Sequence, residues 1–198
     1  GETRTLAETR DDAMGEVFDK VGKRLGLPYP QGPLVDELAE GGDGERFSLP
    51  IARCSDGSLD FSYSGLKSQT LAEIQKLESK GVDTYLGDTT EREVPRDALD
   101  LLAGFRRAAV GQLVDRLARL LEQRPFRQLA VSGGVAANRL LRPTLEGWAR
   151  GNDVDLRLVA LRYSGDNAAM IAHAALLRDE RGLADDPLEA DAASRIPL

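Results

Sequence analysis

The amino-acid sequence predicts an α/β protein, because segments with helical periodicity alternate with short apolar runs of β character. The longest helical segment stops before Pro125, and the apolar run after it ends at Gly133-Gly134. A second strand follows the next helix, and the sequence shows no internal repeat. The predicted elements of this half are helix 96–122, strand 126–131, helix 134–150, strand 154–161 and helix 168–178.

Length and composition indicate an ordinary globular protein: of 198 residues, 41% are hydrophobic and 30% are charged. The net charge of −7 argues against coating nucleic acid through a bulk field, although a local basic patch or a basic partner stays possible. A single cysteine, Cys54, excludes an internal disulfide framework and fits a reducing cytoplasm. No apolar run approaches the roughly 20 residues of a bilayer span, so we expect a cytoplasmic protein without a membrane partner.

The first helix follows a short extended segment. Residues 4–9 are predicted to form a strand, the second arm of a hairpin whose first arm is absent from this sequence. Asp11 and Asp12 then offer an N-cap and an acidic first turn for a helix that ends near Leu25. The charged face of this helix, by itself, is typical of a solvated surface. That face consists of Asp12, Glu16, Asp19 and Lys23.

A turn dense in proline and glycine, residues 26–33, separates this helix from the middle of the chain. The elements predicted next are helix 34–40, strands at 47–50 and 59–63, a helix that ends near residue 80, and an irregular loop at 81–93. Beyond Gly182 the sequence is mostly polar, and we expect a poorly ordered tail. Because no methionine begins the chain, we expect a processed protein or a fragment.

The strand end at Gly133-Gly134 is the first candidate site. Glycines between a strand and a helix leave backbone N–H groups free around an opening without Cβ atoms, which suits a nucleotide phosphate, a ribose or a base edge. Asn138 adds a polar side chain to the same segment. The glycines do not match Gly-x-Gly-x-x-Gly, so the sequence does not support a dinucleotide fold.

A second candidate junction, Gly165-Asp166-Asn167, follows the next predicted strand. If the two strands are parallel neighbours, both junctions lie at the edge of the sheet where α/β proteins bind ligands. Asp166 has two interpretations at this point: it caps the following helix, or its carboxylate holds a cation or activates an oxygen.

Other polar residues give weaker signals. His173 lies in an apolar helix, and we expect it to be packed or capped rather than to bind a metal. Since no His-x-x-x-His or Cys-x-x-Cys pair is present, this chain alone cannot complete a usual zinc or iron site.

Cys54 has no histidine nearby in sequence, which argues against a thiol nucleophile. Five arginines are expected to lie on ordinary helix surface, and the alternative is that they contact phosphates. They are Arg106, Arg107, Arg139, Arg142 and Arg150.

Five motifs occur in order along residues 5–178. They are Asp-Asp-Ala-Met-Gly-Glu-Val-Phe-Asp-Lys at 11–20, Leu-Gly-Leu-Pro-Tyr-Pro-Gln-Gly-Pro at 25–33, Asp-Phe-Ser-Tyr-Ser-Gly-Leu-Lys at 60–67, Ser-Gly-Gly-Val-Ala-Ala-Asn-Arg at 132–139 and Asp-Asn-Ala-Ala-Met-Ile-Ala at 166–172. Together they resemble the TsaD family of tRNA threonylcarbamoyladenosine transferases, formerly described as O-sialoglycoprotein endopeptidases. Each motif alone is modest, but five in order are specific.

The resemblance implies an actin-like ATPase fold of the hexokinase and Hsp70 kind, related to RNase H. Residues 1–182 would form its C-terminal lobe with helical insertions, and residues 183–198 a tail. The implied reaction transfers the threonylcarbamoyl group from threonylcarbamoyl-AMP to the exocyclic amine of the adenosine beside the tRNA anticodon. The implied ligands and partners are tRNA, ATP or threonylcarbamoyl-AMP, one divalent metal ion (iron or zinc) and other subunits of a threonylcarbamoyladenosine complex.

Carried over by position, the resemblance assigns roles to individual residues. Asp19, Gly32 and Asn138 correspond to residues that bind the adenylate or nucleotide, and Asp36 to an acidic ribose contact. Asp166 corresponds to an aspartate ligand of the catalytic metal. Together with the loop glycines, the candidate site therefore comprises Asp19, Gly32, Asp36, Gly133, Gly134, Asn138 and Asp166.

The sequence also departs from the family. Its two metal-binding histidines and its Ser-Gly-Gly-His loop belong to an N-terminal lobe that is absent here, and Ser164-Gly165 replaces a common Cys-Thr pair. We therefore expect the isolated chain to lack transfer activity and to bind metal weakly.

Three alternative functions fit the sequence less well than the transferase does. Retention of Asp19, Asn138 and Asp166 argues against a non-catalytic scaffold paralogue of the same fold. A peptidase lacks support, because no nucleophile, metal pair or general base is placed for peptide hydrolysis. A sugar-kinase-like phosphotransferase is disfavoured by the motif at 60–67.

Overall fold

The computed structural model describes residues 4–87 and 94–183. The chain divides into two units, residues 1–164 and residues 165–198. The helices and strands, in chain order, are α1 (Met14–Arg24), α2 (Gln31–Leu38), α3 (Ser64–Ser79), α4 (Arg96–Gln123), β1 (Gln128–Val131), α5 (Leu141–Gly151), β2 (Asp155–Leu158) and α6 (Ala168–Asp179). Short 3₁₀ turns lie at 39–41, 134–137 and 161–163. This order confirms the predicted α/β class.

Strands β1 and β2 form a two-stranded parallel sheet, in which Gln128 lies opposite Asp155 and Val131 opposite Leu158. Because the strands are parallel neighbours, the loops after them leave from the same edge, as the sequence predicted. The Arg142 guanidinium links these loops by donating to the carbonyl oxygens of Ala136 and Val159, at 2.9 and 3.0 Å.

The core lies around the first half of α4, against which α2 and α3 pack. From Ala98 to Val110, every residue except Leu99 and Arg107 is buried. The rings of Phe18 and Phe105 join α1 to this core, with centroids 4.7 Å apart and planes tilted by 54°. The apolar stripe predicted for this helix consists of Leu99, Leu102, Phe105, Ala109, Leu113, Leu117 and Leu120. Of these, Leu102, Phe105 and Ala109 are buried, whereas the other four are half-buried.

The predicted strands at 4–9, 47–50 and 59–63 are wrong, because these segments lack a neighbouring strand in the described residues. Only an isolated parallel bridge joins Thr9 to Phe61. The backbone of Ser62 forms its hydrogen bonds with a glutamine side chain and not with a neighbouring strand. The Gln112 amide oxygen accepts from the Ser62 N–H at 3.2 Å, and the Gln112 amide nitrogen donates to the Ser62 carbonyl at 3.0 Å.

Asp11 caps a different helix from the one predicted. The N-cap residue of α1 is Ala13, which has no capping side chain. The Asp11 carboxylate instead accepts hydrogen bonds from the Ser62 hydroxyl and the Tyr63 amide, at 2.5 and 2.8 Å, where α3 begins. Burial opposes ionisation of Asp11, but these hydrogen bonds outweigh it and lower the pKa of the carboxyl.

Asp12 strengthens the same junction, since it forms ion pairs with Lys20 of α1 and Lys67 of α3. These two lysines lower the pKa of Asp12. The motifs at 11–20 and 60–67 therefore contact each other directly, although about fifty residues separate Asp11 from Ser62 in sequence.

The remaining predicted elements agree in kind, with shifted boundaries. Helix α2 begins three residues before the predicted start at Leu34. Residues 81–87 have no regular secondary structure, as predicted, while 88–93 and the tail from 184 lie outside the described residues. In the part of the chain that is described, no helix combines the length and hydropathy needed to cross a bilayer.

Candidate functional site

A cavity of about 440 Å³ is lined by α1, by one side of α2 with the Pro30 before it, and by residues 134–139. Five of the seven residues proposed from the sequence line it: Asp19, Gly32, Asp36, Gly134 and Asn138. The other lining residues are Met14, Gly15, Phe18, Pro30, Pro33, Glu37, Val135, Ala137 and Arg139. The volume is in the range of small-molecule sites, and the wall combines apolar side chains with a few polar groups.

Asp19 is held in place by the helix that follows it. Its Oδ1 atom accepts a 2.7 Å hydrogen bond from the Gly32 backbone N–H, in the first turn of α2. Pro30, the N-cap residue of α2, provides no side-chain cap, so Asp19 takes over that role. Among residues 4–87 and 94–183, no hydrogen bond to Asp19 Oδ2 is observed, which leaves this oxygen available to a ligand.

Asp36 is buried, and most of its hydrogen-bonding capacity is used inside the protein. Its Oδ1 accepts from Asn138 Nδ2 at 2.8 Å and from Arg106 Nη1 at 3.2 Å. Its Oδ2 accepts from the Arg139 backbone N–H at 2.8 Å. Since each carboxylate oxygen accepts about two hydrogen bonds, one acceptor position on Oδ2 is left for a ligand.

Asn138 has a single free hydrogen-bonding group. Its Oδ1 accepts from the backbone N–H groups of Leu140 and Leu141, at 3.1 and 2.9 Å, at the start of α5. One of its two Nδ2 hydrogens goes to Asp36. Asn138 can therefore offer a ligand one donor, and it also stabilises the N-terminus of α5.

The Gly133-Gly134 loop differs from the predicted helix start. Residues 134–137 form a 3₁₀ turn, and α5 begins only at Leu141. Gly133 has a φ of 93°, a conformation that favours glycine. A Cβ atom on either glycine would meet nothing within 4 Å. Gly134 lines the cavity, whereas Gly133 shapes the backbone beside it.

Arg106 is buried, so its expected place on a helix surface is wrong. Its guanidinium donates to the backbone oxygens of Asp36 and Ala39, at 2.8 and 3.3 Å, as well as to the Asp36 carboxylate. The sequence signal for this burial is the apolar run on both sides of it in α4, where Phe105 is fully buried. Arg106 thus fixes the end of α2 and, through Asp36, the segment that carries Asn138.

Arg139 and Glu37 line the cavity and were not among the proposed site residues. The Arg139 guanidinium pairs with Glu40 at 2.6 Å and with Glu37 at 3.2 Å. Its hydrogen bond with Glu40 raises the Arg139 pKa, so the guanidinium is a permanent cation. Its position within the motif at 132–139 is the signal that would have identified it.

Comparison with known proteins identifies the family of this chain. The family model of TsaD, described as tRNA N6-adenosine threonylcarbamoyltransferase, matches residues 1–173. The chain belongs to the TsaD family.

Several relatives in the TsaD family carry the name tRNA N6-adenosine threonylcarbamoyltransferase. The protein of Parasynechococcus marenigrum (strain WH8102) is 40% identical over 203 residues, which cover 100% of this chain and 53% of the relative. That of Lacticaseibacillus casei (strain BL23) is 41% identical, covering 96% and 53%. That of Burkholderia ambifaria is 43% identical, covering 90% and 49%. The chain therefore spans about half the length of the curated relatives it matches.

Asp166, which the TsaD resemblance assigns to a metal, lies in the second unit of the chain. Its N-cap interpretation is wrong, because Asn167 caps α6 by accepting from the Met170 N–H at 3.0 Å. Asp166 is exposed and makes no hydrogen bond with the residues described. His173 is also exposed, so its predicted packing is wrong. Within residues 4–87 and 94–183, no group of three or more His, Cys, Asp or Glu residues is arranged to hold a metal.

Proposed function

We propose that this chain carries the adenosine-binding part of a tRNA N6-adenosine threonylcarbamoyltransferase. The observation that carries the proposal is the cavity of about 440 Å³, where Asp19, Gly32, Gly134 and Asn138 meet from three separate motifs in a member of the TsaD family. In the reaction, the N6 amine of the tRNA adenosine attacks the carbamoyl carbon of threonylcarbamoyl-AMP. A C–N bond forms, the bond from that carbon to the phosphate oxygen breaks, and AMP and a proton leave.

The free groups of the cavity suit an adenosine. Asp19 Oδ2 would accept a hydrogen bond from a ribose hydroxyl, and the second Nδ2 hydrogen of Asn138 would donate to a ribose or base acceptor. The remaining acceptor position of Asp36 is a third contact for the ribose. Since neither Gly32 nor Gly134 has a Cβ, the backbone can approach the nucleotide closely. Apolar wall residues would pack against the flat base: Met14, Phe18 and Val135.

The position of the loops in the fold also supports a ligand site. The loops after β1 and β2 leave from one edge of a parallel sheet, where α/β proteins bind ligands. We propose that residues 1–182 belong to the C-terminal lobe of an actin-like ATPase fold and that residues 183–198 are its tail.

The donor set for a metal is incomplete among the described residues. Asp166 would supply one ligand to an iron or zinc ion, but a single carboxylate does not hold such an ion, which needs about four ligands. When bound, a divalent ion supplies positive charge that stabilises an oxyanion. The isolated chain is therefore expected to bind metal weakly and to lack transfer activity. Further partners in this proposal are tRNA and other subunits of a threonylcarbamoyladenosine complex, in the cytoplasm.

A chimera tests the proposed function. This chain would replace the aligned half of the Lacticaseibacillus casei relative, which it covers over 96% of its own length. The purified chimera would be incubated with threonylcarbamoyl-AMP and unmodified tRNA, and the digested tRNA analysed for threonylcarbamoyladenosine by mass spectrometry. We expect the modified nucleoside to form, and to be lost when the chimera carries Asp166→Ala.

Two comparisons make this result interpretable. The unmodified relative shows that the assay works, and Glu146→Gln, an exposed change in α5, should leave product formation unaffected. A folded chimera that binds AMP yet forms no threonylcarbamoyladenosine would contradict the proposed transferase. Robust product formation by the 198-residue chain alone would contradict its expected inactivity.

A further inference from the structure

An aromatic and cationic surface follows β2, formed by Leu161, Arg162 and Tyr163 and called here the 161–163 surface. Leu161 is 59% exposed and Tyr163 is 49% exposed. The Arg162 guanidinium carbon lies 4.8 Å from the centroid of the Tyr163 ring. Large exposed side chains of this kind, next to one another, are typical of a binding surface.

The 161–163 surface follows the end of β2, which lies beside the end of β1. The Val159 N–H donates to the Val131 carbonyl at 3.1 Å, at the end of the paired strands. Arg142 then ties the Val159 carbonyl to the Ala136 carbonyl of the glycine loop. The 161–163 surface begins two residues beyond this link, on the edge of the sheet from which the glycine loop also leaves.

Arg162 differs from the exposed Arg139 and Arg157 in its surroundings. Arg139 and Arg157 pair with carboxylates, whereas in the described part of the chain Arg162 has no ion pair and lies over an aromatic ring. A ring beside an unpaired guanidinium is the combination that stacks unpaired nucleobases and neutralises the adjoining phosphate.

We propose that the 161–163 surface binds single-stranded RNA, with an unpaired base stacked on Tyr163 and a backbone phosphate paired with Arg162. The proposal rests on the proposed function, in which an unpaired tRNA nucleoside must reach this chain. An apolar protein partner fits less well, because the guanidinium would lose water without gaining a carboxylate.

Fluorescence anisotropy tests this proposal with the 198-residue chain and a fluorescein-labelled RNA hairpin that carries an unpaired loop. Tyr163→Ala should weaken binding by roughly 5- to 100-fold, the range for losing one base–aromatic stack, while Tyr163→Phe should retain it. Arg162→Ala should weaken binding and reduce the salt dependence by about one phosphate contact. Tyr85→Ala removes a tyrosine that is 51% exposed elsewhere and should change little.

The outcomes separate this proposal from the proposed function. Failure of the wild-type chain to bind the hairpin, or equal affinity of Tyr163→Ala and Tyr85→Ala, would overturn the RNA surface. Self-association of the wild type that Tyr163→Ala abolishes in analytical ultracentrifugation would also overturn it, by showing a protein interface. If the chimera still forms threonylcarbamoyladenosine in these cases, the proposed function stands and only the RNA surface fails. Circular dichroism of each variant checks that it is folded.

Discussion

The backbone amide of Gly32 donates a hydrogen bond of 2.7 Å to Oδ1 of Asp19, joining the first turn of α2 to the charged face of α1. This contact orients the Asp19 carboxylate while Oδ2 stays available to a ligand. The surface charge that the helical pattern predicts is thus, for Asp19, a positioned group in the wall of a cavity. Positioning before binding reduces the ordering cost of recognising a nucleotide.

Substitutions at the two loop glycines should have separable effects. Gly133 has a φ of 93° and a ψ of 166°, a backbone region that is essentially restricted to glycine, so Gly133→Ala should lower the free energy of unfolding by about 1–3 kcal/mol. Gly134 has open space for a Cβ and lines the cavity. Gly134→Ala should therefore leave stability unchanged and weaken nucleotide binding, because its methyl group occupies ligand space.

Urea unfolding and AMP titration of the two variants test this pair. Gly147→Ala in α5 is the control for AMP binding, since its Cβ also meets nothing within 4 Å but it lies away from the cavity. Its stability should rise by about 1 kcal/mol, because alanine favours a helix interior more than glycine does. If Gly134→Ala binds AMP as tightly as wild type does, the glycine loop does not contact the nucleotide.

The buried pair of Asp36 and Arg106 should be important for stability. Asp36→Ala leaves the guanidinium buried without a carboxylate, and Arg106 Nε already lacks a hydrogen-bond partner among the described residues. We expect a loss of about 3–5 kcal/mol in the free energy of unfolding. The control is Glu37→Ala, which breaks an exposed pair with Arg139 and should cost about 0–1 kcal/mol. Similar small losses for both variants, measured by chemical denaturation, would show that Asp36 does not hold this part of the fold together.

The junction of Asp11 with α3 should give the protein part of its acid sensitivity. Hydrogen bonds from Ser62 and the start of α3 hold the pKa of Asp11 below its ordinary value of 3.8. Because the folded-state pKa is lower than the unfolded one, this stabilisation is present above pH 3.8 and is lost as the pH falls through the folded-state pKa.

Urea midpoints of wild type and Asp11→Asn, measured from neutral pH down to below the ordinary carboxyl pKa, test this. The variant should be less stable at neutral pH and should lose less stability on acidification. Glu146→Gln, which removes an exposed carboxylate of α5, should follow the wild-type acid profile. Parallel acid profiles for Asp11→Asn and wild type would contradict the account.

Local patterns predicted the helices and the two paired strands, since helical periodicity and short apolar runs are properties of neighbouring residues. The same patterns failed at 47–50 and 59–63, because an extended segment becomes a strand only when another strand lies beside it. At Ser62 that place is taken by the side chain of Gln112, 50 residues away. Asp11 was assigned to the wrong helix for the same reason, since its partners begin 51 residues later.

The sequence predicted which residues belong to the candidate site better than it predicted the hydrogen bonds between them. Motif resemblance named Asp19, Gly32, Asp36 and Asn138, and the glycines after the strand named Gly134. The structure brings these five residues to one cavity, whereas Gly133 lies beside the cavity and Asp166 in the second unit. The sequence could not show that Asn138 donates a hydrogen bond of 2.8 Å to Asp36, because 102 residues separate the two. Nor could it show the burial of Arg106, which depends on how α2 packs against α4.

The most direct test of the account is the affinity of AMP for the 198-residue chain and for its Asp19→Asn variant, by isothermal titration calorimetry. Asparagine keeps an oxygen that can accept the Gly32 hydrogen bond, so the variant should remain folded. The account predicts saturable one-to-one binding that Asp19→Asn weakens about tenfold or more, because a ribose hydroxyl loses a charged acceptor. Equal affinities for the two chains, or no saturable binding by the wild type, would contradict it.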